Sequence, residues 1–131
     1  MTNLHHFNLR VYTEDTDMMG IVYHANYLHF FERARTEMIR ASGLSLSKLA
    51  TYDCHFAIHN VKLRYLAPAR LDDLLTVVSK ITEQTSCSFT FEQILYNQDS
   101  KQLCHGLIQV VTIDGRMKPK RIPKNLFEVE V

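Results

Sequence analysis

The chain reads as an α+β domain in which one long helix is wrapped by a mainly antiparallel sheet of roughly five strands. Three observations predict this. A single stretch, from Leu28 to about Ala41, carries apolar residues at helical spacing. Most of the chain beyond His55 alternates apolar and polar residues with a period of two, as half-buried strands do. Most breaks between those strands are short, which suits antiparallel neighbours, and one helix followed by such a run of strands is the α+β pattern. With 131 residues, no low-complexity linker and no internal repeat, residues 1–131 make one domain.

A first strand is expected at about Phe7 to Tyr12. In the long helix, Tyr27, Phe31, Ala34 and Met38 recur at helical intervals, with Leu28, Phe30 and Ile39 beside them. That face is broader than a surface helix needs, so the helix is expected to be largely enclosed. Asn26 is a candidate cap, Arg33 and Glu37 an i,i+4 ion pair on the outer side, and Gly43 the stop. A short second helix is expected over Ser45 to Tyr52, capped by Ser45. Val61, Leu63 and Tyr65 then alternate with polar neighbours until Pro68. Three more strands follow, Leu74 to Thr82, Ser86 to Tyr96 and Gln102 to Ile113, with turns at 83–85, 97–100 and 114–115. A small sheet of this kind leaves an edge to protect, and pairing across a two-fold axis protects it, so at least a homodimer is expected.

Composition excludes several classes of function. The hydrophobic fraction of 46% and charged fraction of 22% are those of a soluble globular protein. A net charge of +1 makes no case for nucleic acid or a membrane surface, and no apolar run reaches bilayer length. The residues from Met1 to Phe7 lack a basic segment followed by an apolar one, so no secretory leader is read and a cytoplasmic location is expected. Cys54, Cys87 and Cys104 suggest neither a disulfide framework nor zinc spacing and read as reduced thiols. No metal or cofactor is expected. His55 and His59 fall on a strand, where that spacing separates them, and His5-His6 reads as an isolated exposed pair. Neither G-x-S-x-G nor a glycine-rich phosphate loop is present.

The chemistry concentrates between Thr16 and Tyr27. Asp17 and His24 lie seven residues apart, in a glycine-containing turn that runs into the long helix. A helix start has unpaired N–H groups and partial positive charge, so it stabilises an anion, or an oxygen becoming one. A carboxylate facing it supplies a base or nucleophile opposite an oxyanion hole, the two halves of an acyl-transfer site. Spacing alone reads Asp17 as a turn or cap residue, and Glu14 and Asp15 are equally acidic neighbours.

The pattern Arg10-Val11, Thr16-Asp17, Gly20-Ile21-Val22, His24 and Tyr27 resembles the signature of the hydroxybenzoyl-CoA thioesterase group of hotdog-fold proteins. The stretches EDTDMMGIVYHANYLHFFERARTEMIR and RYLAPARLDDLLTV are most similar to the bacterial acyl-CoA thioesterases associated with the Tol–Pal envelope system. The resemblance runs over nearly the whole chain. It implies a hotdog fold, an acyl-CoA substrate, and dimers or tetramers with active sites between subunits. It also implies that Asp17 is the active carboxylate, as nucleophile or general base. The backbone N–H of His24, with that of Tyr23, is then the expected oxyanion donor, and the imidazole of His24 orients Asp17, positions water or protonates the leaving thiolate. Gly20 would permit close approach of the thioester or serve only the turn; Tyr27 would hydrogen-bond near the site or be a core aromatic.

Glu32 is the reserve carboxylate, because some hotdog subfamilies carry theirs on this helix; with Asp17 present it reads as an ion pair with Arg35 or a contact of Thr36. Met18 and Met19 suit a flexible aliphatic acyl group. Arg64, Arg70 and the basic segment with Arg116, Lys118 and Lys120 are candidates for the coenzyme A phosphates. The same basic segment would equally dock an acidic acyl carrier protein. Two other readings stand beside hydrolysis: a hotdog hydratase or dehydratase, and a non-catalytic binding module for acyl-CoA or acyl carrier protein.

Overall fold

A computed structural model describes residues 4–124 and Leu126. Residues 1–3, part of the segment read above for a leader, lie outside the described residues. The elements are β1 (His5–Arg10), a 3-10 turn (Thr13–Asp15), α1 (Asn26–Ala41), α2 (Leu46–Thr51), β2 (His55–Tyr65), β3 (Leu74–Gln84), β4 (Ser88–Tyr96) and β5 (Gln102–Ile113). The strands form one five-stranded antiparallel sheet in the order β1-β3-β4-β5-β2, curved around α1. This is the α+β hotdog arrangement.

The wrapped helix follows from its sequence. Tyr27, Phe30, Phe31, Ala34, Met38 and Ile39 are buried, and only Leu28 of the expected apolar face turns outward. The inner face of the sheet meets them with Leu75, Val77 and Ile81, then Phe89, Phe91 and Leu95, then Ile108 and Val110. Gly106 faces the Phe31 side chain of α1. A Cβ there would stand 3.0–3.2 Å from Ile108, Leu63 and Phe31 side-chain atoms, so a side chain at this position would overpack the core. The helix ends at Ser42, with Gly43 at φ +89° and its N–H donating to the Arg40 carbonyl, as a left-handed stop requires. Ser45 caps α2 by accepting from the Lys48 N–H.

Several expectations shift. β1 runs from His5 to Arg10 rather than from Phe7 to Tyr12; it ends early because Val11 leaves the strand to donate its N–H to the Asp73 carbonyl and bury its side chain completely. His5 is therefore half-buried in a strand, not part of an exposed pair. β3 runs on through Glu83 and Gln84, which pair with Thr90 and Phe89, so the turn falls at 85–87. Glu37 pairs with Arg40 at 2.8 Å, one helical turn ahead, instead of with Arg33. His55 and His59 are separated by a register shift between Ile58 and Asn60, and no metal-binding cluster occurs among the described residues. No helix among them is long and apolar enough to cross a membrane.

The cysteines are free. Burial pushes the Cys104 thiol up to about 11 and raises that of Cys54, whereas Cys87 is half-buried. Thiolate is the reactive form. Iodoacetamide at pH 8 is therefore expected to label Cys87 first, with Cys54 and Cys104 reacting only on unfolding. Peptide mass spectrometry would detect this order, and equal early labelling of all three would contradict it.

Candidate active site

The segment from Thr16 to Val22 is a tight hairpin closed by a bridge between its ends. The Asp17 N–H donates to the Ile21 carbonyl (2.9 Å), and the Gly20 N–H to the Asp17 carbonyl (3.1 Å). Gly20 sits at φ +74° with no protein atom near an added Cβ, so the turn itself calls for glycine here. The Asp17 side chain is exposed; Oδ1 accepts the Met19 N–H at 2.8 Å, and no described residue donates to Oδ2. Met18 and Met19 beside it are 100% and 78% exposed, so an apolar surface flanks the carboxylate.

Tertiary hydrogen bonds fix the hairpin on the loop before β3. The Val22 N–H donates to the Ala69 carbonyl (2.8 Å), the Leu71 N–H to the Gly20 carbonyl (3.1 Å), and Ile21 bridges to Arg70. On its other side the hairpin leads into α1 through Tyr23, His24 and Ala25. Here Asp15 does what sequence reasoning missed. It is 6% exposed; its Oδ2 accepts the Tyr12 N–H (2.8 Å), its Oδ1 the Asn26 side-chain amide (2.7 Å), and its carbonyl the Tyr23 N–H (3.0 Å). Asn26, expected as a cap, is instead the first residue of the helix and is anchored to Asp15.

Two open backbone donors follow from peptide geometry. In a trans peptide the C=O and N–H point in opposite directions. The Tyr23 carbonyl is held by the Asn26 N–H (2.8 Å), which turns the His24 N–H the other way. The His24 carbonyl accepts from the Tyr65 hydroxyl (2.8 Å), which does the same for the Ala25 N–H. Neither N–H has an acceptor among the described residues. The Tyr23 N–H is committed to Asp15, so Ala25, not Tyr23, joins His24 as the second open donor. Both belong to the first turn of the helix entry, where the dipole favours negative charge.

The His24 imidazole is exposed, rests on the Tyr23 ring with centroids 4.5 Å apart, and makes no direct hydrogen bond to Asp17. Tyr27 stands behind the site. Its ring is buried between Phe30 and Tyr65, its hydroxyl accepts the Ala69 N–H at 3.0 Å, and burial raises its pKa. It braces the loop and does not reach solvent.

The basic candidates separate. Arg70 lies alongside the hairpin through the Ile21 bridge. Arg64 pairs in register with His105 on the outer face of the sheet, away from the helix. Arg116, Lys118 and Lys120 lie in the turn after β5 at the far end of β2, where the Gly115 N–H donates to Asp53. Glu32 is exposed on α1 and makes no ion pair with Arg35 among the described residues, which removes the first of its two expected roles; it lines one cavity with Thr36, the second.

Comparison with known proteins is consistent with this geometry. The family model described as Thioesterase superfamily matches residues 19–104. The chain is 40% identical to the acyl-CoA thioester hydrolase YbgC of Escherichia coli O6:H1 over 95% of its length and 94% of the relative's. It is also 40% identical to the acyl-CoA thioesterase YbgC of Haemophilus influenzae, covering 92% and 89% of the two chains. Among solved structures, a probable thioesterase from Bartonella henselae superposes with a TM-score of 0.88 at 34% identity, covering 92% of this chain and all of that one. The family match over residues 19–104, together with 40% identity over nearly the whole chain and this fold, places the chain in the thioesterase superfamily.

Proposed function

We propose that the protein hydrolyses acyl-CoA thioesters to a free carboxylic acid and coenzyme A, at the Asp17 hairpin. The observation that carries this reading is an exposed Asp17 carboxylate on a hairpin that leads into a helix entry with open His24 and Ala25 N–H groups. The thioester carbonyl oxygen binds those two donors, which gain most as negative charge develops on it. Asp17 either attacks the carbonyl carbon, giving an anhydride that water then opens, or removes a proton from the attacking water. The C–S bond breaks, and the coenzyme A thiolate takes a proton from the protonated imidazole of His24. Solvent reprotonates His24, while the proton lost by the attacking water leaves to solvent through Asp17 or His24. The exposed Met18 and Met19 shelter the start of the acyl chain.

The expected assembly is a homodimer. β2 is one edge of the sheet, and Ile58, Val61 and Tyr65 along it, with Leu66 just beyond, are 40–51% exposed despite being apolar. Two-fold antiparallel pairing of β2 with a second copy covers that edge. It also sets the Tyr65 end of one protomer against the His55 end of the other. Arg116, Lys118 and Lys120 of one copy then approach the Asp17 site of the other, where coenzyme A phosphates need cations. The free thiols suit the reducing cytoplasm, and the Tol–Pal association rests on the sequence resemblance.

Free-thiol release measured over acetyl- to palmitoyl-CoA and hydroxybenzoyl-CoA tests the activity. Turnover on this series is expected. Turnover confined to acyl carrier protein thioesters would replace coenzyme A by the carrier as donor, and none on either would sink the reading. Changing Arg116, Lys118 and Lys120 together to Ala is expected to raise KM roughly tenfold, about 1.4 kcal/mol of binding, while kcat stays nearly constant. An unchanged KM would remove these residues from the substrate site.

A further inference from the structure

Away from Asp17, a cavity of about 230 Å³ opens between α1, α2 and β2. Ile39, Leu46, Phe56, Ile58 and Val110 make its walls. Three polar side chains stand among them, Glu32, Thr36 and Arg35, and the Arg35 guanidinium packs over the Phe91 ring at 5.9 Å. A partly buried guanidinium ordinarily has a carboxylate partner, because removing the charge from water is costly. Arg35 has none within ion-pair distance among the described residues. It spends one N–H on the buried Gln93 carbonyl oxygen at 3.0 Å. Gln93 in turn donates to the Phe31 carbonyl and to Ser79, so this network holds the arginine in place while using one of its five donors. None of the remaining Arg35 nitrogens is sealed from solvent without a partner. Desolvation lowers the Arg35 pKa to about 10, which still leaves it fully charged at neutral pH.

We propose that this cavity binds a short aliphatic carboxylate, with the carboxylate on the open N–H groups of Arg35 and the chain among Ile39, Leu46, Phe56, Ile58 and Val110. The volume is below that of ordinary drug-sized pockets, roughly 300–1,000 Å³, which limits the chain to a few carbons. A planar guanidinium matches a carboxylate through two parallel hydrogen bonds, and the surrounding apolar walls strengthen them. Glu32 also lines the cavity, and its charge acts favourably on Arg35. It is exposed, however, forms no ion pair with Arg35 among the described residues, and its repulsion of a bound carboxylate is screened by salt. The carboxylate has two sources, a free acid such as the product of hydrolysis, or the far end of a carboxyl-terminated acyl-CoA. Only the choice between these sources rests on the thioesterase reading.

Binding is measured by calorimetry on the whole protein with hexanoate and with hexanol, which lacks the charge. Hexanoate is expected to bind at least tenfold more tightly. In Arg35→Gln that preference disappears while hexanol still binds, which also shows the cavity intact. In Leu46→Trp, which fills the cavity from its exposed rim, both ligands are lost. Equal affinity for hexanoate and hexanol in the unaltered protein would overturn the proposal, as would hexanoate binding that survives both variants. Should Arg35→Gln not fold, Leu46→Trp and the hexanol comparison still decide. Adipoyl-CoA hydrolysed at least tenfold faster than hexanoyl-CoA at limiting substrate, with that advantage lost in Arg35→Gln, assigns the carboxylate to the acyl chain. No such advantage, with hexanoate bound as above, assigns it to the free acid. The calorimetry involves no thioester, so its failure is separable from failure of the hydrolysis reading.

Discussion

Asp17→Asn is expected to lower kcat for acyl-CoA hydrolysis by about 10²- to 10⁴-fold while leaving thermal stability unchanged. The separation of the two effects comes from the geometry. Asn retains the Oδ1 acceptor for the Met19 N–H, and the backbone bonds that close the hairpin do not involve the side chain. What disappears is the negative charge at Oδ2, the oxygen that no described residue occupies. Without it there is neither a nucleophile nor a base opposite the His24 and Ala25 donors. The residual rate would come from the donors and from binding alone. Free-thiol release and a melting curve on the same preparation check both halves. Turnover that survives the change would mean that the carboxylate has been misassigned. Glu32→Gln would then be the next variant, although Glu32 lies on another part of α1, at the rim of the Arg35 cavity.

Much of the fold was legible because its strongest signals are periodic. The buried face of α1 repeats at helical spacing, and β5 alternates in burial from Cys104 to its end, so both matched expectation closely. The boundaries that moved did so for tertiary reasons. Val11 looks like strand but bonds to the Asp73 carbonyl, and Glu83 and Gln84 look like a turn but pair across to β4. The site divides in the same way. The Asp17 to Tyr27 stretch is contiguous, so its turn and helix entry could be read. Arg70 reaches the hairpin from a loop some fifty residues on, through a single bridge that no local pattern announces. Arg35 falls beside Ala34 on an otherwise apolar face, a position that signals partial burial but says nothing of its partners. Glu14, Asp15 and Asp17 are alike as letters and differ only in where their oxygens point.

That difference carries the second large effect. Asp15→Ala is expected to destabilise the protein by about 3 kcal/mol, because it removes two hydrogen bonds to an ionised acceptor, each worth roughly 1.5–3 kcal/mol when lost, at a buried position. For a domain of this size that corresponds to a fall in Tm of the order of 10 °C. Asp15 never faces the substrate, yet kcat is expected to drop by about tenfold or more. Its Oδ1 holds Asn26, the first residue of α1, and Asn26 fixes the Tyr23 carbonyl and so the direction of the His24 N–H. Loosening that chain displaces the oxyanion donors relative to Asp17, which costs rate more than it costs substrate binding. KM is therefore expected to change little. Asp15→Asn, which keeps one acceptor oxygen, should recover part of both losses, and Glu14→Ala, on the exposed side of the same turn, should show neither. If Asp15→Ala melts and turns over like Glu14→Ala, the link from this buried carboxylate to the helix entry has no energetic weight.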